Sequence, residues 1–334
     1  MMGDALKTYY SVSQNLSASK SKIASHTPVS TSVTIKDLWK EHQDVLELLR
    51  SQEIAPGIVH SFSFMDLKIK IAEKIFQECV FCPRRCRVNR SLESGVCGVT
   101  EPRIASEFIH IGEEAPLVPS HTLFFAGCNL KCVYCQNFDI SNNPQEGMII
   151  SPSALARRID QRRREGSRNV NFVGGDPAPH LHYILKTMNL TTENIPVVWN
   201  SNMYLSGESM KLLEGFVDLY LTDFKYGNDE CALRLSGVPD YMGVVGYNHK
   251  LALEAGDMII RHLVLPGHVE CCSLPLMRWI NSNLGEDVVI NIMGQYQPHY
   301  QAFRYRDISR PTSAREVADV VDYAKDLGFR NIIN

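Results

Sequence analysis

Seven of the ten cysteines fall into two short clusters. Cys128, Cys132 and Cys135 are spaced C-x3-C-x2-C within "CNLKCVYCQN" and follow the apolar run "HTLFFAG". Cys79, Cys82, Cys86 and Cys97 are spaced C-x2-C-x3-C-x10-C. Thiols two or three residues apart are poor disulfide staples but good ligands for one metal centre. We therefore expect a reducing compartment, the cytoplasm, and metal chemistry rather than a secreted disulfide framework. The four-cysteine group has the ligands for one closed site. That site is either zinc, stabilising a lobe that lacks its own core, or a second iron–sulfur cluster, and spacing does not separate them. Arg84, Arg85, Arg87 and Arg90 stand ready to offset its thiolate charge. The three-cysteine loop is one thiol short of a closed zinc site or a fully ligated cubane. A distant His121, or a thiol of the other group, could complete a zinc site. Otherwise one coordination position stays open, and an open position is where chemistry can occur.

The elements that must hold these thiols are legible in part. The chain has 334 residues, 44% of them hydrophobic, enough for one large core or two smaller ones. Its net charge of −3 gives no reason to expect nucleic acid as a partner. No apolar run suits a membrane span, and no charged-then-apolar start marks a secretory signal. Residues 1–34 are Ser-rich and poor in large aliphatics, so we expect a flexible or loosely docked arm. Apolar residues recur at helical spacing in "IKDLWKEHQDVLELLR" (35–50) and "DLKIKIAEKIFQE" (66–78), and "IAPGIVHS" breaks the pattern between them. Residues 35–119 thus form a helical, Cys-rich metal-binding lobe.

From about residue 120 the texture changes. Six short apolar runs, "TLFFAG", "NVNFVGG", "IPVVWNSN", "VDLYLTDFK", "DMIIRHLVLPG" and "DVVINIM", alternate with amphipathic stretches. Among the latter, "SPSALARRIDQRRREG" opens on a Ser cap and Pro, and "SAREVADVVDYAKDLG" closes on Gly. Buried strands alternating with helices predict a parallel sheet covered on both faces. Six such units over 120–334 predict an α/β fold, a partial (β/α)6 TIM-type barrel. Several runs end in polar groups: Gly174-Gly175-Asp176, Asn200-Ser201, and Asp223 with Lys225; Arg261 lies within another. In β/α barrels the C-terminal strand edge is where reactive groups gather.

With aromatic Tyr134 before its last thiol, a preceding strand and a following Gln-Asn, the Cys128–Cys135 loop resembles the signature of the radical S-adenosylmethionine (SAM) superfamily. The resemblance implies a [4Fe-4S] cluster on Cys128, Cys132 and Cys135 whose unique iron is chelated by SAM. Reduction then cleaves SAM to methionine and a 5′-deoxyadenosyl radical that abstracts a substrate hydrogen. "FVGGDPAP" is similar to the superfamily's Gly-Gly-Glu element, whose backbone holds the SAM amine; here Asp176 replaces the Glu. Asp223-x-Lys225 and Arg261 resemble SAM-side residues of pyruvate formate-lyase activating enzymes, and Asn200 and Ser201 occupy positions that often contact SAM. Phrases such as "CPRRCRVNR" and "RHLVLPGHVECC" resemble a group of activating-enzyme-like proteins.

The implied function is hydrogen abstraction from a protein or peptide residue, with an electron donor such as ferredoxin or flavodoxin. Two departures bear on it. About 120 residues precede the loop, and the four-cysteine group lies before it rather than after. A radical SAM enzyme acting on a small molecule or RNA, and a non-catalytic electron-transfer protein, are the competing readings. Cys231 reads as an ordinary helix residue. Cys271 and Cys272 read either as a buried and exposed pair or as thiols facing the substrate cavity. His180 and His182 fit a cavity mouth or a solvent-facing role, and Tyr296 fits hydrogen-atom donation or packing.

Overall fold

Local capping chemistry sets several helix starts in this computed structural model, which describes residues 2–29, 37–51 and 62–333. The first helices are α1 (Met2–Ala5), α2 (Lys7–Ser13), α3 (Lys20–His26), α4 (Leu38–Arg50) and α5 (Phe64–Gln77). Ser63 and Asp66 form a reciprocal capping box that fixes the start of α5. The Pro-Gly break expected at 54–61 and the arm boundary at 34 lie outside the described residues. Strands β1 (Ile104–His110) and β2 (Ser120–Phe125) follow, then α6 (Phe138–Ser141) and α7 (Pro152–Arg164). Ser151 caps α7 through the Ala154 amide, with Pro152 in its first turn.

The chain continues as β3 (Asn169–Gly174), α8 (Leu181–Asn189), β4 (Val197–Ser201), α9 (Gly207–Leu213) and β5 (Leu219–Asp223). Next come α10 (Asp229–Ser236), α11 (Tyr241–Ala255) and β6 (Asp257–Leu263). A π-helical turn (Val269–Ser273) leads into α12 (Leu274–Leu284). The last elements are β7 (Val289–Met293), α13 (Ala314–Asp326) and β8 (Asn331–Ile333). Ser313 and Glu316 box the start of α13, and Gly328, at φ +92°, turns the chain away after it.

The eight strands form one sheet in sequential order, β1 antiparallel to β2 and all later pairs parallel. The predicted six-unit parallel barrel is thus present and extended. Seven strands run parallel, β8 being the addition, and β1 pairs with β2 although it lies within the segment read as N-terminal lobe. The arginines of α7 form ion pairs from Arg158 to Glu107 and Arg164 to Glu193, as befits a solvated face. Among the described residues no helix is long and apolar enough to cross a membrane.

Of the two readings of the N-terminal arm, flexible or docked, residues 2–29 take the docked one. Leu6 and Tyr9 are fully buried and share an apolar cluster with Leu117, Val198, Leu219, Leu221, Ile259 and Val289. Five of these residues stand on β4 to β7, so the first turns of the chain pack against the sheet and close that apolar cluster. Asn169 donates to the Tyr9 hydroxyl at 2.8 Å, and the Tyr9 amide donates to Asp257 at 2.7 Å. The Arg163 guanidinium of α7 reaches the Ser13 carbonyl at 2.9 Å. Sparse as it is in aliphatics, this segment docks because two of its side chains meet an apolar surface of the sheet. Replacing Tyr9 with Ala should lower unfolding free energy by about 3–5 kcal/mol in denaturant titration. Leu16→Ala, at a position 75% exposed, should change it by less than about 0.5 kcal/mol.

Candidate functional site

The site begins where β2 and β3 end. Gly174 has φ +126°, a region L side chains avoid, and a Cβ there would collide with the Phe125 backbone. A Cβ on Gly175 would meet the Gly127 carbonyl. Amides of Gly175 and Asp176 donate to the carbonyls of Phe125 and Gly127 at 2.7 and 3.0 Å. The paired glycines therefore let two strand ends lie on each other, and the three-cysteine loop starts at the next residue.

None of the three thiols is in a disulfide; Cys128 is buried, and Cys132 and Cys135 are partly so. Each sulfur has a polar neighbour from a separate element. Asn202 Nδ2 approaches Cys128 Sγ at 3.7 Å, Ser236 Oγ approaches Cys132 Sγ at 2.9 Å, and Ser141 Oγ approaches Cys135 Sγ at 3.3 Å. The loop backbone is held by α10, with Lys131 and Val133 amides donating to the carbonyls of Ser236 and Leu235. Burial pushes the Cys132 thiol up to about 11, with Lys225 pulling the other way. A bound cation or cluster iron is what would make such a thiol a thiolate at neutral pH.

Tyr134 is buried with its ring edge against Tyr226 and Tyr296. Its hydroxyl starts a chain from Tyr134 to Tyr226 at 2.8 Å, Tyr226 to Ser236 at 2.6 Å, and Ser236 to Cys132. Its side chain therefore anchors the loop.

Along the same strand edge the predicted polar residues converge. Register places Asp223 opposite Arg261. Arg261 donates from Nε to Asp223 Oδ1 at 3.0 Å and from Nη2 to Asn200 Oδ1, while Lys225 Nζ donates to Asp223 Oδ2 at 2.8 Å. Burial raises the Asp223 carboxyl, but the Arg261 and Lys225 cations together outweigh it and hold the group at about 2. Asn200 Nδ2 is buried without a protein partner beside this triad, which makes it a donor available to a polar ligand. Asp176 differs from these. Its carboxylate accepts from the Ala178 amide at 2.9 Å, the Asn202 amide at 3.0 Å and Ser201 Oγ at 3.1 Å. The side chains of Asp176 and Ser201 thus tie the end of β3 to the end of β4.

Cys79, Cys82, Cys86 and Cys97 line a single pocket together with Arg84, Arg90, Asn129 and Pro179. Arg90 is buried and donates to Cys79 Sγ at 3.5 Å, and the Val96 amide approaches Cys86 Sγ at 3.4 Å. Arg84 leaves this group to reach the carbonyls of Asn129, at 3.3 Å, and Gly237, at 2.6 Å. The two cysteine groups are thus neighbours, joined at Asn129.

His180 and His182 do not face solvent. Both are buried, His180 stacked on Phe125 and His182 tilted against Phe76. Burial pulls His180 down to about 3. Tyr296 packs, its hydroxyl on the Ile308 carbonyl at 2.6 Å. His121 pairs with Glu107 rather than with any thiol.

Sequence reasoning missed Tyr226 and Ser236, which no spacing rule marks. It also missed Glu113 and Glu114, buried acids of the β1–β2 connection. Glu113 accepts from Asn171 at 3.3 Å and lies 3.8 Å from Arg261; Glu114 accepts from Asn291 at 2.8 Å. The adjacent "EE" before an apolar Pro-containing run was the available signal. Cys231, read as an ordinary helix residue, and the Cys271–Cys272 pair converge with His268 within 4.8 Å of one another.

Comparisons with known proteins place the chain in a family. The radical SAM superfamily model matches residues 122–279, from β2 into α12. An uncharacterised protein of Methanocaldococcus jannaschii is 44% identical over 330 residues, covering 96% of this chain and 97% of its own. The chain belongs to the radical SAM superfamily, a class of enzymes that use a [4Fe-4S] cluster and SAM. Within that class the individual likenesses are more distant. A pyruvate formate-lyase-activating enzyme of Staphylococcus aureus is 22% identical over 158 residues, which is 44% of this chain and 62% of that one. Among solved structures, Streptococcus suis SuiB bound to the precursor peptide SuiA is 13% identical with TM-score 0.46, over 90% of this chain and 62% of that longer one. Methylornithine synthase is 11% identical with TM-score 0.46, over 97% and 78%.

Asp223→Asn leaves two cations sharing one neutral amide. We expect a loss on the order of 3 kcal/mol of folding stability, read by denaturant titration at pH 7. Because the folded pKa is depressed, this contribution is complete above the ordinary value of 3.8 and is lost as pH falls through about 2. The wild-type and Asn variants should therefore converge in stability only at the acid end.

Proposed function

We propose that Cys128, Cys132 and Cys135 hold the [4Fe-4S] cluster and that SAM lies across the ends of β3 to β6. The observation that carries this reading is the placement of three unpaired, hydrogen-bonded thiols directly beyond β2, on the strand edge that also carries the Asp223–Lys225–Arg261 triad. With both groups bound, the chemistry supplied is reductive cleavage of SAM and hydrogen abstraction by the resulting 5′-deoxyadenosyl group.

The chain's own residues bind and orient. The Gly174-Gly175-Asp176 backbone would receive the SAM amine, and Asn200 with its free amide, Ser201, Asp223, Lys225 and Arg261 would face its polar groups. Tyr134 holds the loop through Tyr226. Hydrogen bonds to cluster sulfurs tune potential, which assigns Ser236, Ser141 and Asn202 to that task. Cys79, Cys82, Cys86 and Cys97 would hold a second centre, zinc or iron–sulfur, abutting the first through Asn129.

The substrate we infer is a protein or peptide residue, in the manner of glycyl-radical activases, and the support is the stretch similar to the pyruvate formate-lyase-activating enzyme. A ferredoxin or flavodoxin would serve as reductant. The alternative is a small-molecule or RNA substrate for the same chemistry.

The test is anaerobic reconstitution, dithionite reduction and assay of 5′-deoxyadenosine from SAM, with iron, sulfide and zinc counted. Wild type should form deoxyadenosine and Cys132→Ala should fall to background. A correctly loaded cluster that fails to bind SAM would sink the enzyme reading in favour of electron transfer. Ser236→Ala should make the cluster potential more negative by the equivalent of about 1 kcal/mol, read by electron paramagnetic resonance during redox titration.

A further inference from the structure

Outside the site just described, a second constellation of ligands comes together from two distant segments. Cys231 stands on α10; His268, Cys271 and Cys272 stand on the turn after β6. Cys231 Sγ lies 3.5 Å from His268 Nδ1 and 3.9 Å from Cys271 Sγ. Cys271 Sγ lies 3.3 Å from His268 Nδ1 and 3.9 Å from Cys272 Sγ, which is itself 3.9 Å from His268 Nδ1. All four ligand atoms fall within 4.8 Å of one another, the one group among the described residues to do so.

These edges have the size of a mononuclear tetrahedral site. With Zn–S of about 2.3 Å and Zn–N of about 2.0–2.1 Å, a regular tetrahedron has S···S edges of about 3.8 Å and S···N edges of about 3.6 Å. The imidazole is oriented for ligation. Its Nε2 faces Asp307 Oδ2 at 2.9 Å, and Asp307 is ion-paired with Arg234. Arg234 Nη2 also lies 3.2 Å from Nε2. With the Nε2 proton directed to the nearer Asp307 carboxylate, which only accepts, Nδ1 presents its lone pair to the three sulfurs. That carboxylate–histidine arrangement is the usual outer shell of a zinc-bound histidine.

Two adjacent cysteines rarely aim at one point, and the backbone shows how these do. Residues 269–273 form a π-helical turn, the Cys272 and Ser273 amides both donating to the His268 carbonyl. Asn228 braces the turn, its Nδ2 on the Cys271 carbonyl at 2.6 Å and near Cys272 Sγ at 3.4 Å. Gly227 lies so close to the Cys272 carbonyl that a Cβ would collide with it. Three soft thiolates and one imidazole favour zinc over magnesium or calcium. Four ligands leave no open position, so the role is structural.

We propose that Cys231, His268, Cys271 and Cys272 form a mononuclear Cys3His zinc site that pins α10 to the turn after β6. Its consequence reaches the radical loop, because α10 ends at Ser236, which meets Cys132 Sγ, and its last carbonyls hold the Lys131 and Val133 amides. The site is independent of what the enzyme acts on.

The first test uses the unaltered chain, purified anaerobically with zinc. Cys271 is exposed, yet it should resist iodoacetamide until a chelator strips the zinc, after which it should alkylate at the rate of an open thiol. The second compares metal content. Cys271→Ser should lose one zinc per chain with iron and sulfide unchanged, whereas Cys82→Ser changes only the four-cysteine site. Asp307→Asn should weaken zinc binding about 10–100-fold in chelator competition. Equal alkylation with and without chelator, unchanged zinc in Cys271→Ser, loss of iron in place of zinc, or a Cys231–Cys271 disulfide in the anaerobic protein would each overturn the proposal.

Discussion

The contact between the ends of β2 and β3 governs everything built above it. Gly174 and Gly175 lie on the backbone of Phe125 and Gly127 at a separation no side chain permits. That approach sets where Cys128 begins, because the loop leaves the sheet one residue later. It also sets where Asp176 falls, and Asp176 in turn binds the end of β4 through the Asn202 amide and Ser201. The glycines thus have a scaffold role that is complete before any ligand arrives. If their backbone also receives the SAM amine, one close approach serves both folding and binding.

The interior between the strands holds a second constraint of a different kind. Arg261, Asp223 and Lys225 meet in a half-buried triad, and Glu113 approaches Arg261 from the β1–β2 connection. Charges removed from water are tolerated only when paired and hydrogen-bonded. Here the pairing joins β5 to β6 in register and brings in Asn200 of β4. A network of that kind is rigid, since any displaced member leaves a partner unpaired. Rigid polar groups aimed at one place are what a positioning site needs, because they require no reorganisation when the ligand binds.

What could be read in the sequence follows from how local each signal is. The six apolar runs from "TLFFAG" to "DVVINIM" announced β2 to β7 because each is buried on both faces and carries its own apolar pattern. β1 escaped, since "IASEFIH" buries only Ile104 and otherwise runs through half-buried and exposed positions, and β8 has only three residues. The docking of Leu6 and Tyr9 depends on apolar side chains from Leu117 to Val289, which no local window contains. The triad was legible at its strand-end positions, but its hydroxyl supports were not. Tyr226 and Ser236 acquire meaning only when α10 lies on the loop. Cys231 and His268 are likewise separated in sequence by a helix and a strand, and only a π-turn aims Cys271 and Cys272 together.

If the three-cysteine loop holds a cluster with its fourth position reserved, it has one tether fewer than a closed site, and its rigidity must come from outside. The structure supplies it from four directions. Arg84 reaches the Asn129 carbonyl from the four-cysteine segment, Ser236 and the α10 carbonyls hold the stretch around Cys132, Ser141 of α6 meets Cys135, and Asn202 beyond β4 meets both Cys128 and Asn129. Two of those supports are small elements with little apolar core of their own: the cysteine segment at 79–97 and the eight-residue helix α10. Each carries thiols. Metal ligation contributes folding free energy directly where burial is scarce. If the cysteines flanking the three-cysteine loop bind metal, they do so where stiffness is most needed and hydrophobic packing supplies least.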